Sequence, residues 1–422
     1  MKKNLFMVVM VSVLVLFLSV SAFAETTLRV AWWGSQNRHD RTLEAIKLFE
    51  EQNPDINIEP EFLGWSGYWE KMAAQSAGKN LPDVWQQDYA YLTLYANGGL
   101  LLDLNPYVEN GQLDFTNVAD SAVSGGIVNG GLFGINLGLN APAVVYDPEL
   151  FAEAGVEVPS PGWTYQDYMT KARKLSKELG TYADDRFPVI PDTHGFNMYL
   201  RQHGYELYNE DGTALGYEDD QLFVDYFAME LALIEEGVIA PMDVTSEITN
   251  IEEGLIVSKK SAMTDLWSNQ IVALDSAAGR TLKMTVLPKD ENQVQEGLFL
   301  KPSMFFSATK YTKHPEAAVK FIDFFTNDLE VNKILMAERG VPISSAIRDG
   351  LKPLLGDSQK EMFDYINLAA EHASKISPPS PEGHNQILDL HNKLHEMITF
   401  EVISLEDAAK EFRTKANQIL SK

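Results

Sequence analysis

Over the first hundred residues, short β-rich apolar runs alternate with segments whose apolar residues have helical spacing. Residues 27–33 are a β-rich apolar run ended by Gly34, whereas residues 41–51 place apolar side chains three and four positions apart. The same change recurs twice before Gly98. Strands that alternate with helices are typical of a mainly parallel sheet with helices on both faces. The predicted elements are strand 27–33, helix 41–51, strand 56–62, helix 65–77, strand 82–85 and helix 91–96.

A glycine-rich stretch, residues 125–147, interrupts this alternation. Its six glycines are interleaved with apolar residues, and no long helix fits the pattern. Extended segments fit better, and a hinge between two lobes needs such segments. We therefore expect the chain to cross between two lobes here.

Helical periodicity dominates from residue 148 onward. Two later segments, 282–287 and 298–308, have strand character, and a proline-rich joint lies at 377–381. The chain shows no internal repeat. The helices predicted in this part span 148–155, 164–180, 219–237, 250–260, 314–327, 328–338, 358–374, 384–399 and 404–420.

The N-terminal residues have the pattern of a secretory signal peptide. Lys2 and Lys3 precede a nearly continuous apolar run over residues 5–20, and small residues follow at Ala22 and Ala24. A membrane anchor is the alternative, but the run is short for a ~30 Å hydrocarbon core. We predict cleavage after Ala24. The chain has no cysteine, so no lipid attachment follows, and a periplasmic protein without membrane insertion is expected.

Composition narrows the function classes. The chain of 422 residues is 45% hydrophobic with a net charge of -26, which is typical of a globular protein that an anionic membrane or nucleic acid would repel. We therefore expect no nucleic-acid partner. Absence of cysteine excludes thiol nucleophiles and thiolate metal sites.

Catalytic and cofactor motifs are missing from the sequence. It has neither the serine elbow nor the phosphate-binding glycine loops. His395-Glu396 begins a zinc motif, but residue 399 is Thr rather than the second histidine. We expect no metal, no cofactor and no enzyme. A carboxylate pair for glycoside hydrolysis stays open, since any acid-rich chain offers candidates.

Aromatic and amide side chains cluster where predicted strands end. Trp33 closes the first strand, Trp65 follows the second, and Gln87 follows the third. Ligands of open α/β sheets bind outside the carboxyl ends of the strands. Rings that stack on sugar C–H faces, with amides for the hydroxyls, make a carbohydrate site plausible.

A series of short motifs then resembles one family. They include residues 28–34, 49–54, 77–84, 98–104, 146–155, 204–212, 261–267, 314–318 and 340–342. In this order the chain resembles the extracellular solute-binding proteins of bacterial sugar ABC importers, of the maltose-binding-protein-like class. The resemblance covers essentially the whole chain after residue 24.

The resemblance implies an α/β, two-lobed periplasmic-binding-protein fold, each lobe a mainly parallel sheet flanked by helices and joined by crossing hinge strands. It implies a sugar ligand between the lobes, a membrane permease as partner, and a monomer. Residues 1–24 would be the signal peptide. The N-terminal lobe would comprise 25–138 plus 308–347 and the C-terminal lobe 143–301 plus 350–422, with hinges near 138–143, 301–308 and 347–350.

Matching this chain to the family's ligand contacts implies a set of site residues, most of them in loops. They are Trp33, Gly34, Ser35, Gln87, Asp88, Tyr89, Asn140, Asp192, Thr193, His194, Trp267, Met304, Phe305 and Arg339. His384 joins them as a departure, since it stands where many relatives have Trp, and Trp65 joins them from the strand-end pattern. Trp267 is the leading stacking candidate because its neighbours Asp265, Ser268 and Asn269 are polar.

Two other readings remain open. One is a secreted glycan hydrolase, which would need the carboxylate pair. The other is a binding protein for a polyamine, a phosphodiester or an iron complex. The candidate loops contain few cations apart from Arg38, Arg41 and Arg339, which favours a neutral sugar.

Overall fold

The computed structural model describes residues 26–34, 36–185, 194–246, 248 and 251–421. The predicted signal peptide, residues 1–24, and the predicted site residues Ser35, Asp192 and Thr193 lie outside these ranges. Among the described residues, no helix is both long and apolar enough to cross a membrane.

Thirteen strands lie within the described ranges. In chain order they are β1 Thr26–Trp33, β2 Ile56–Leu63, β3 Val84–Gln87, β4 Ile127–Val128, β5 Gly131–Leu132, β6 Ile135–Asn136, β7 Leu139–Asn140, β8 Pro142–Tyr146, β9 Tyr182–Asp184, β10 Ser261–Trp267, β11 Lys283–Thr285, β12 Lys301–Pro302 and β13 Phe305–Ala308.

The α-helices of the same ranges surround these strands. They are α1 Gln36–Gln52, α2 Trp65–Ala77, α3 Tyr89–Asn97, α4 Asn105–Glu109, α5 Asp120–Val123, α6 Pro148–Glu153, α7 Tyr165–Leu179, α8 His194–Gln202, α9 Gln221–Glu235, α10 Met242–Thr245, α11 Ile271–Ala278, α12 Pro315–Asn327, α13 Leu329–Leu335, α14 Ser345–Leu351, α15 Asp357–Glu371, α16 His384–Thr399 and α17 Leu405–Leu420.

Two main sheets organise the molecule. The first has the strand order β2-β1-β3-β13-β6, and the second has the order β11-β8-β10-β9. The predicted α/β class with two lobes is confirmed, since solved proteins of this two-lobed architecture superpose on the chain, as described below.

The expectation of mainly parallel sheets needs a correction. In the first sheet β1 pairs in parallel with β2 and β3, but β13 pairs antiparallel with β3 and β6. In the second sheet β8 pairs antiparallel with both β10 and β11, and only β9 and β10 are parallel. The difference arises because β13 enters the first sheet from a distant part of the chain rather than through a local strand–helix–strand unit.

Close backbone crossings explain the glycine-rich stretch. A Cβ on Gly138 would lie 2.2 Å from the carbonyl oxygen of Arg339, and one on Gly126 would lie 1.9 Å from that of Gly134. Only glycine permits such contacts. Just beyond Gly138, β7 pairs with β12, with Asn140 opposite Lys301. This two-stranded ribbon lies on the chain path between the two main sheets.

Candidate functional site

A cleft of about 900 Å³ lies among the described residues. This volume is in the range of small-molecule sites. Its lining draws on Asp88 and Tyr89, which follow a strand of the first sheet, and on Trp267, which ends a strand of the second. The lining residues lie within 88–93, 140, 197, 206–212, 267–269, 299–303 and 376–384.

Trp267 presents a partly exposed ring to the cleft. The Lys301 ammonium lies 4.8 Å from its ring centroid, a cation–π contact, and the Phe299 ring meets it edge-on at 6.3 Å. Asn140 lies opposite Lys301 on the ribbon. An indole, an amide and an ammonium group therefore converge at the base of the cleft.

Tyr89 forms the side of the cleft contributed by the first sheet. Asp88 caps α3 by accepting a hydrogen bond from the Ala90 backbone N–H at 2.9 Å, which fixes the start of the helix. The Tyr89 hydroxyl donates to the carbonyl oxygen of Ser377 at 2.5 Å. Burial raises the pKa of Tyr89 well above its ordinary value, so the hydroxyl stays protonated and remains a donor.

Tyr208 and His384 meet at the opposite side. The Tyr208 hydroxyl lies 2.6 Å from Nδ1 of His384, the first residue of α16. Burial raises the pKa of Tyr208 as well, so the phenol stays protonated and shares one hydrogen bond with the ring nitrogen. Residues 209–212 form a turn beside them, in which the Asn209 side chain accepts hydrogen bonds from the backbone of Thr213 and Ala214.

Three acceptor oxygens of the cleft lining are buried without a hydrogen-bond partner among the described residues. They are Oδ1 of Asn140, Oδ1 of Asn197 and Oε2 of Glu206. An unpaired buried acceptor is destabilising by roughly 1–3 kcal/mol until a donor meets it. A solute rich in hydroxyl groups supplies such donors.

The charge of the described lining is predominantly negative. Four carboxylates, those of Asp88, Glu206, Glu210 and Asp211, belong to the lining together with the Lys301 ammonium, and Glu206 is paired with the buried Arg201. Such a field favours neutral or cationic solutes over polyanions. No group of three or more metal-ligating side chains is positioned to hold an ion within the described ranges.

Five of the predicted site residues come together in this cleft: Asp88, Tyr89, Asn140, Trp267 and His384. Seven others are not among its lining residues: Trp33, Gly34, Trp65, Gln87, Met304, Phe305 and Arg339. His194 begins α8, but its side chain is not among those described.

Trp33 and Trp65 belong instead to an aromatic cluster at the carboxyl ends of β1 and β2. Their ring centroids are 5.1 Å apart in an edge-on arrangement, and Trp69 contacts both rings. Trp33 is 7% exposed, whereas Trp65 is 46% exposed. Trp65 is therefore the ring of this pair that a ligand could reach.

Most of the remaining predicted residues are interior. Gln87, Met304 and Phe305 are buried. Arg339 is buried too, and its guanidinium donates to Gln86 and Thr42 and pairs with Glu338. These contacts join the first sheet to its helices. Arg339 therefore has a structural role, which its place in the sequence before Gly340 did not predict.

The sequence reasoning missed several lining residues, among them Asn197, Glu206, Tyr208, Phe299, Lys301 and the segment 376–381. Two signals pointed toward them. The first is that residues 204–212 are one of the motifs that resemble the family. The second is the proline-rich sequence of residues 377–381, which by itself predicts only a connection between helices. A segment with three prolines cannot pair with a neighbouring strand, so residues 377–381 can form part of the cleft surface instead.

The chain matches the family of bacterial extracellular solute-binding proteins over residues 36–328. Among solved structures, a family 1 extracellular solute-binding protein from Alicyclobacillus acidocaldarius is 32% identical, with a TM-score of 0.88, covering 94% of this chain and 99% of that one. An oligogalacturonide-binding protein from Yersinia enterocolitica, solved with saturated digalacturonic acid, is 26% identical with a TM-score of 0.64, covering 94% and 99%. The sugar-binding protein MalE from Xanthomonas citri is 16% identical with a TM-score of 0.73, covering 94% and 98%, and shows the fold alone.

Proposed function

Because this chain belongs to the bacterial extracellular solute-binding protein family, we propose that it captures a neutral sugar or oligosaccharide in the cleft and delivers it to the permease of an ABC importer. The observation that carries the proposal is that the partly exposed Trp267 ring lines the same cleft as the unpartnered acceptor oxygens of Asn140, Asn197 and Glu206. Stacking surface and acceptors together match the two faces of a sugar, its C–H groups and its hydroxyl groups.

The charge of the lining supports a neutral ligand. The Yersinia relative is named for oligogalacturonides and was solved with digalacturonic acid. In this chain the lining contains the carboxylates of Asp88, Glu210 and Asp211 beside the Lys301 ammonium, while Glu206 is paired with Arg201. The remaining carboxylates would repel a uronate. A neutral saccharide with many hydroxyl donors avoids that repulsion.

Longer ligands have a second aromatic surface available. Trp65 lies at the carboxyl end of β2 with almost half of its surface exposed. Since ligands of such sheets bind beyond the strand ends, a saccharide that extends from Trp267 along the first sheet would meet this ring. Stacking on both rings would favour oligosaccharides over monosaccharides.

Capture would involve closure of the two lobes about the segments near 138–143, 301–308 and 347–350. The β7–β12 ribbon lies in the first two of these segments and carries Asn140 and Lys301 into the cleft. Bending there would couple the position of the ligand to the angle between the lobes. The lobes would comprise 25–138 plus 308–347 and 143–301 plus 350–422, and the exported monomer would begin at Glu25.

A thermal-shift panel tests the proposal. The panel contains glucose, maltose, maltotriose, cellobiose, cellotriose, digalacturonate, spermidine and glycerophosphodiesters. A ligand at 100 times its dissociation constant stabilises the fold by about 2.7 kcal/mol, so we expect a clear shift with a neutral saccharide and none with digalacturonate. A shift with spermidine or a phosphodiester alone would overturn the sugar assignment.

Product analysis addresses the alternative of a hydrolase. The purified protein is incubated with each saccharide that shifts its melting temperature, and the reducing ends are counted over a day. We expect no increase, because the proposed role requires binding without bond cleavage. Release of shorter sugars in proportion to protein concentration would favour the glycan hydrolase.

A further inference from the structure

One wall of the cleft is a proline-rich segment with few backbone hydrogen bonds of its own. We define the proline segment as residues 374–381, of which Ile376 to Pro381 all line the cleft. It contains Pro378, Pro379 and Pro381. Proline lacks the backbone N–H and fixes its own φ angle. Ser374, at the start of the segment, forms a parallel bridge with Phe299, but residues 375–381 lie outside any ladder and need contacts from side chains elsewhere.

Arg201, in the last turn of α8, supplies those contacts. Its side chain is 1% exposed. The guanidinium donates to Oγ of Ser374 and Oγ of Ser377, each at 2.6 Å, and to the carbonyl oxygen of Lys375 at 2.5 Å. One buried side chain therefore holds three successive parts of the proline segment.

The same guanidinium is anchored on its other side. Nε donates to the carbonyl oxygen of Gly297 at 2.8 Å, and Nη1 pairs with Oε1 of Glu206 at 3.0 Å. A buried cation is retained only when its donors are met, and here five acceptors meet it. The planar fork of arginine allows this arrangement, whereas the single ammonium of lysine does not.

Arg201 does not line the cleft itself, although the segment that it holds does. We propose that Arg201 is a positioning residue: it fixes the proline segment as a wall of the cleft and thereby sets which solutes fit beside Trp267. The inference rests on the proposed function only for the statement about solutes. The placement of the wall is testable without any ligand.

Hydrogen–deuterium exchange of the ligand-free, full-length protein is the first test. In Arg201→Lys we expect exchange in peptides covering residues 373–380 to rise about tenfold, because the Ser374 amide, which donates to the carbonyl oxygen of Leu298, opens more often when the segment loses its anchor. About tenfold is the factor for loss of a typical net hydrogen bond. Exchange in β1 and β10 stays unchanged.

Arg348→Lys is the matched control. Arg348 is a second buried arginine, which donates to the carbonyl oxygens of Pro342 and Ile343 and to Asn367. Its loss affects a different part of the chain, so exchange at 373–380 should match the wild type. Equal exchange at 373–380 in Arg201→Lys and in the wild type overturns the proposal, as does an equal rise in both variants.

Rescue by a hydroxyl separates positioning from general stability. Ser377→Ala removes one acceptor of Arg201 and should raise exchange at 373–380, whereas Ser377→Thr keeps the hydroxyl and should restore it. If Thr behaves like Ala, the hydroxyl contact does not hold the wall and the proposal fails.

The panel of saccharides gives the second readout. Arg201→Lys should change the rank order of melting-temperature shifts across maltose, maltotriose, cellobiose and cellotriose, while Arg348→Lys keeps the wild-type order. An unchanged order contradicts the link to solute choice. If no saccharide shifts even the wild type, the sugar assignment fails, and the exchange experiment still decides the role of Arg201.

Discussion

Trp267 shows how far a single residue can be predicted from its neighbours. Its polar flanks suggested a ring outside the core, and the ring is partly exposed at the end of β10. The flanking residues themselves are buried, since Asp265 is 5% exposed and Ser268 is 0% exposed. Polar residues can be interior, as Ser268 is, with its hydroxyl accepting from the backbone N–H of Ala141, so the polarity of neighbours is a weak guide to the exposure of one side chain.

Replacing Trp267 with alanine should weaken sugar binding more than it weakens the fold. A sugar ring that stacks on the indole buries roughly 100 Å² of apolar surface, worth about 2.5 kcal/mol, so we expect the dissociation constant to rise by one to two decades. Titration calorimetry and urea unfolding of the same variant measure both quantities.

Trp163→Ala is the control for loss of a core tryptophan. Trp163 is 3% exposed and donates from its indole N–H to the carbonyl oxygen of Val286 at 2.8 Å. Its removal should destabilise the protein by ~3–5 kcal/mol with affinity unchanged. The stacking role is refuted if Trp267→Ala shows that pattern instead.

At the scale of elements, local signals placed some boundaries well. A helix was predicted over 164–180, and α7 runs from Tyr165 to Leu179. Thr164 and Asp167 form a capping box at its start, and Gly180 adopts a positive φ of 68° at its end. Such caps act within a few residues, so a single sequence reveals them.

Other elements depended on distant partners and were missed. A helix was predicted over 250–260, but the described part of that segment is a short 3₁₀ turn at Ile251–Glu253 followed by turns. β10 was not predicted, because its polar residues Ser261, Thr264 and Asp265 break the apolar pattern. Its pairing with β8 and β9 accommodates them in the second sheet, and tertiary pairing of this kind leaves no local signal.

The packing of α9, α16 and α17 makes a pH-dependent contribution to stability. Burial, reinforced by the neighbouring His395, lowers the pKa of His391 to about 3, while an unfolded histidine titrates near 6.5. A lowered folded pKa means that stability is full above pH 6.5 and falls as the pH drops. This one group should reduce the free energy of unfolding by about 2 kcal/mol between pH 7.5 and pH 5.

His391→Leu should therefore flatten the acid side of the stability profile. Urea unfolding at pH 7.5 and pH 5 measures the difference. His395 acts in the opposite direction: burial lowers its pKa, but the Glu230 carboxylate at 2.9 Å raises it above the ordinary value, so its contribution is lost as the pH rises. His314→Gln, at an exposed histidine, is the control, and equal slopes in His391→Leu and the wild type would contradict the assignment.

At the scale of the whole molecule, Tyr89 links the two sides of the cleft. Its hydroxyl donates to the carbonyl oxygen of Ser377, which belongs to the other predicted lobe, so Tyr89→Phe should shift the ligand-free protein toward an open form by up to about tenfold in population. The chain has no cysteine, so spin labels can be placed at exposed residues 47 and 178. Double electron–electron resonance should then show longer distances in the variant.

Tyr208→Phe is the matched control for this experiment. It also removes one hydroxyl from the cleft, but the partner lost is His384, in the same predicted lobe. The distance distribution should stay at its wild-type position. The inter-lobe role of Tyr89 is rejected if its variant gives the wild-type distribution as well.

The mature chain should begin at Glu25. Lys2, Lys3, the apolar run that follows and Ala22-Phe23-Ala24 predict cleavage after Ala24. Intact mass measurement and N-terminal sequencing of protein released from its native host by osmotic shock test this. Retention of residues 1–24 would favour the membrane anchor.

The candidate site was only partly predictable because it is assembled from remote parts of the chain. Asp88 and Tyr89 follow a strand, and a general rule about strand ends suffices to nominate them. Lys301 and the proline segment reach the cleft through the β7–β12 ribbon and the contacts of Arg201, which join residues that are far apart in sequence. Met304 and Phe305 lay close to the right segment, but their side chains are directed into the core.

The position of β13 in the first sheet also determines when this protein can fold. Trp85 of β3 pairs with Ser307 of β13, so 222 further residues must leave the ribosome before the pair can form. At about 5–20 residues per second, that interval is roughly 11–44 s. Throughout it, β3 has an open edge where β13 will later lie. The first sheet therefore stays incomplete throughout this interval. A chain that has not yet folded is the form that a translocation channel accepts.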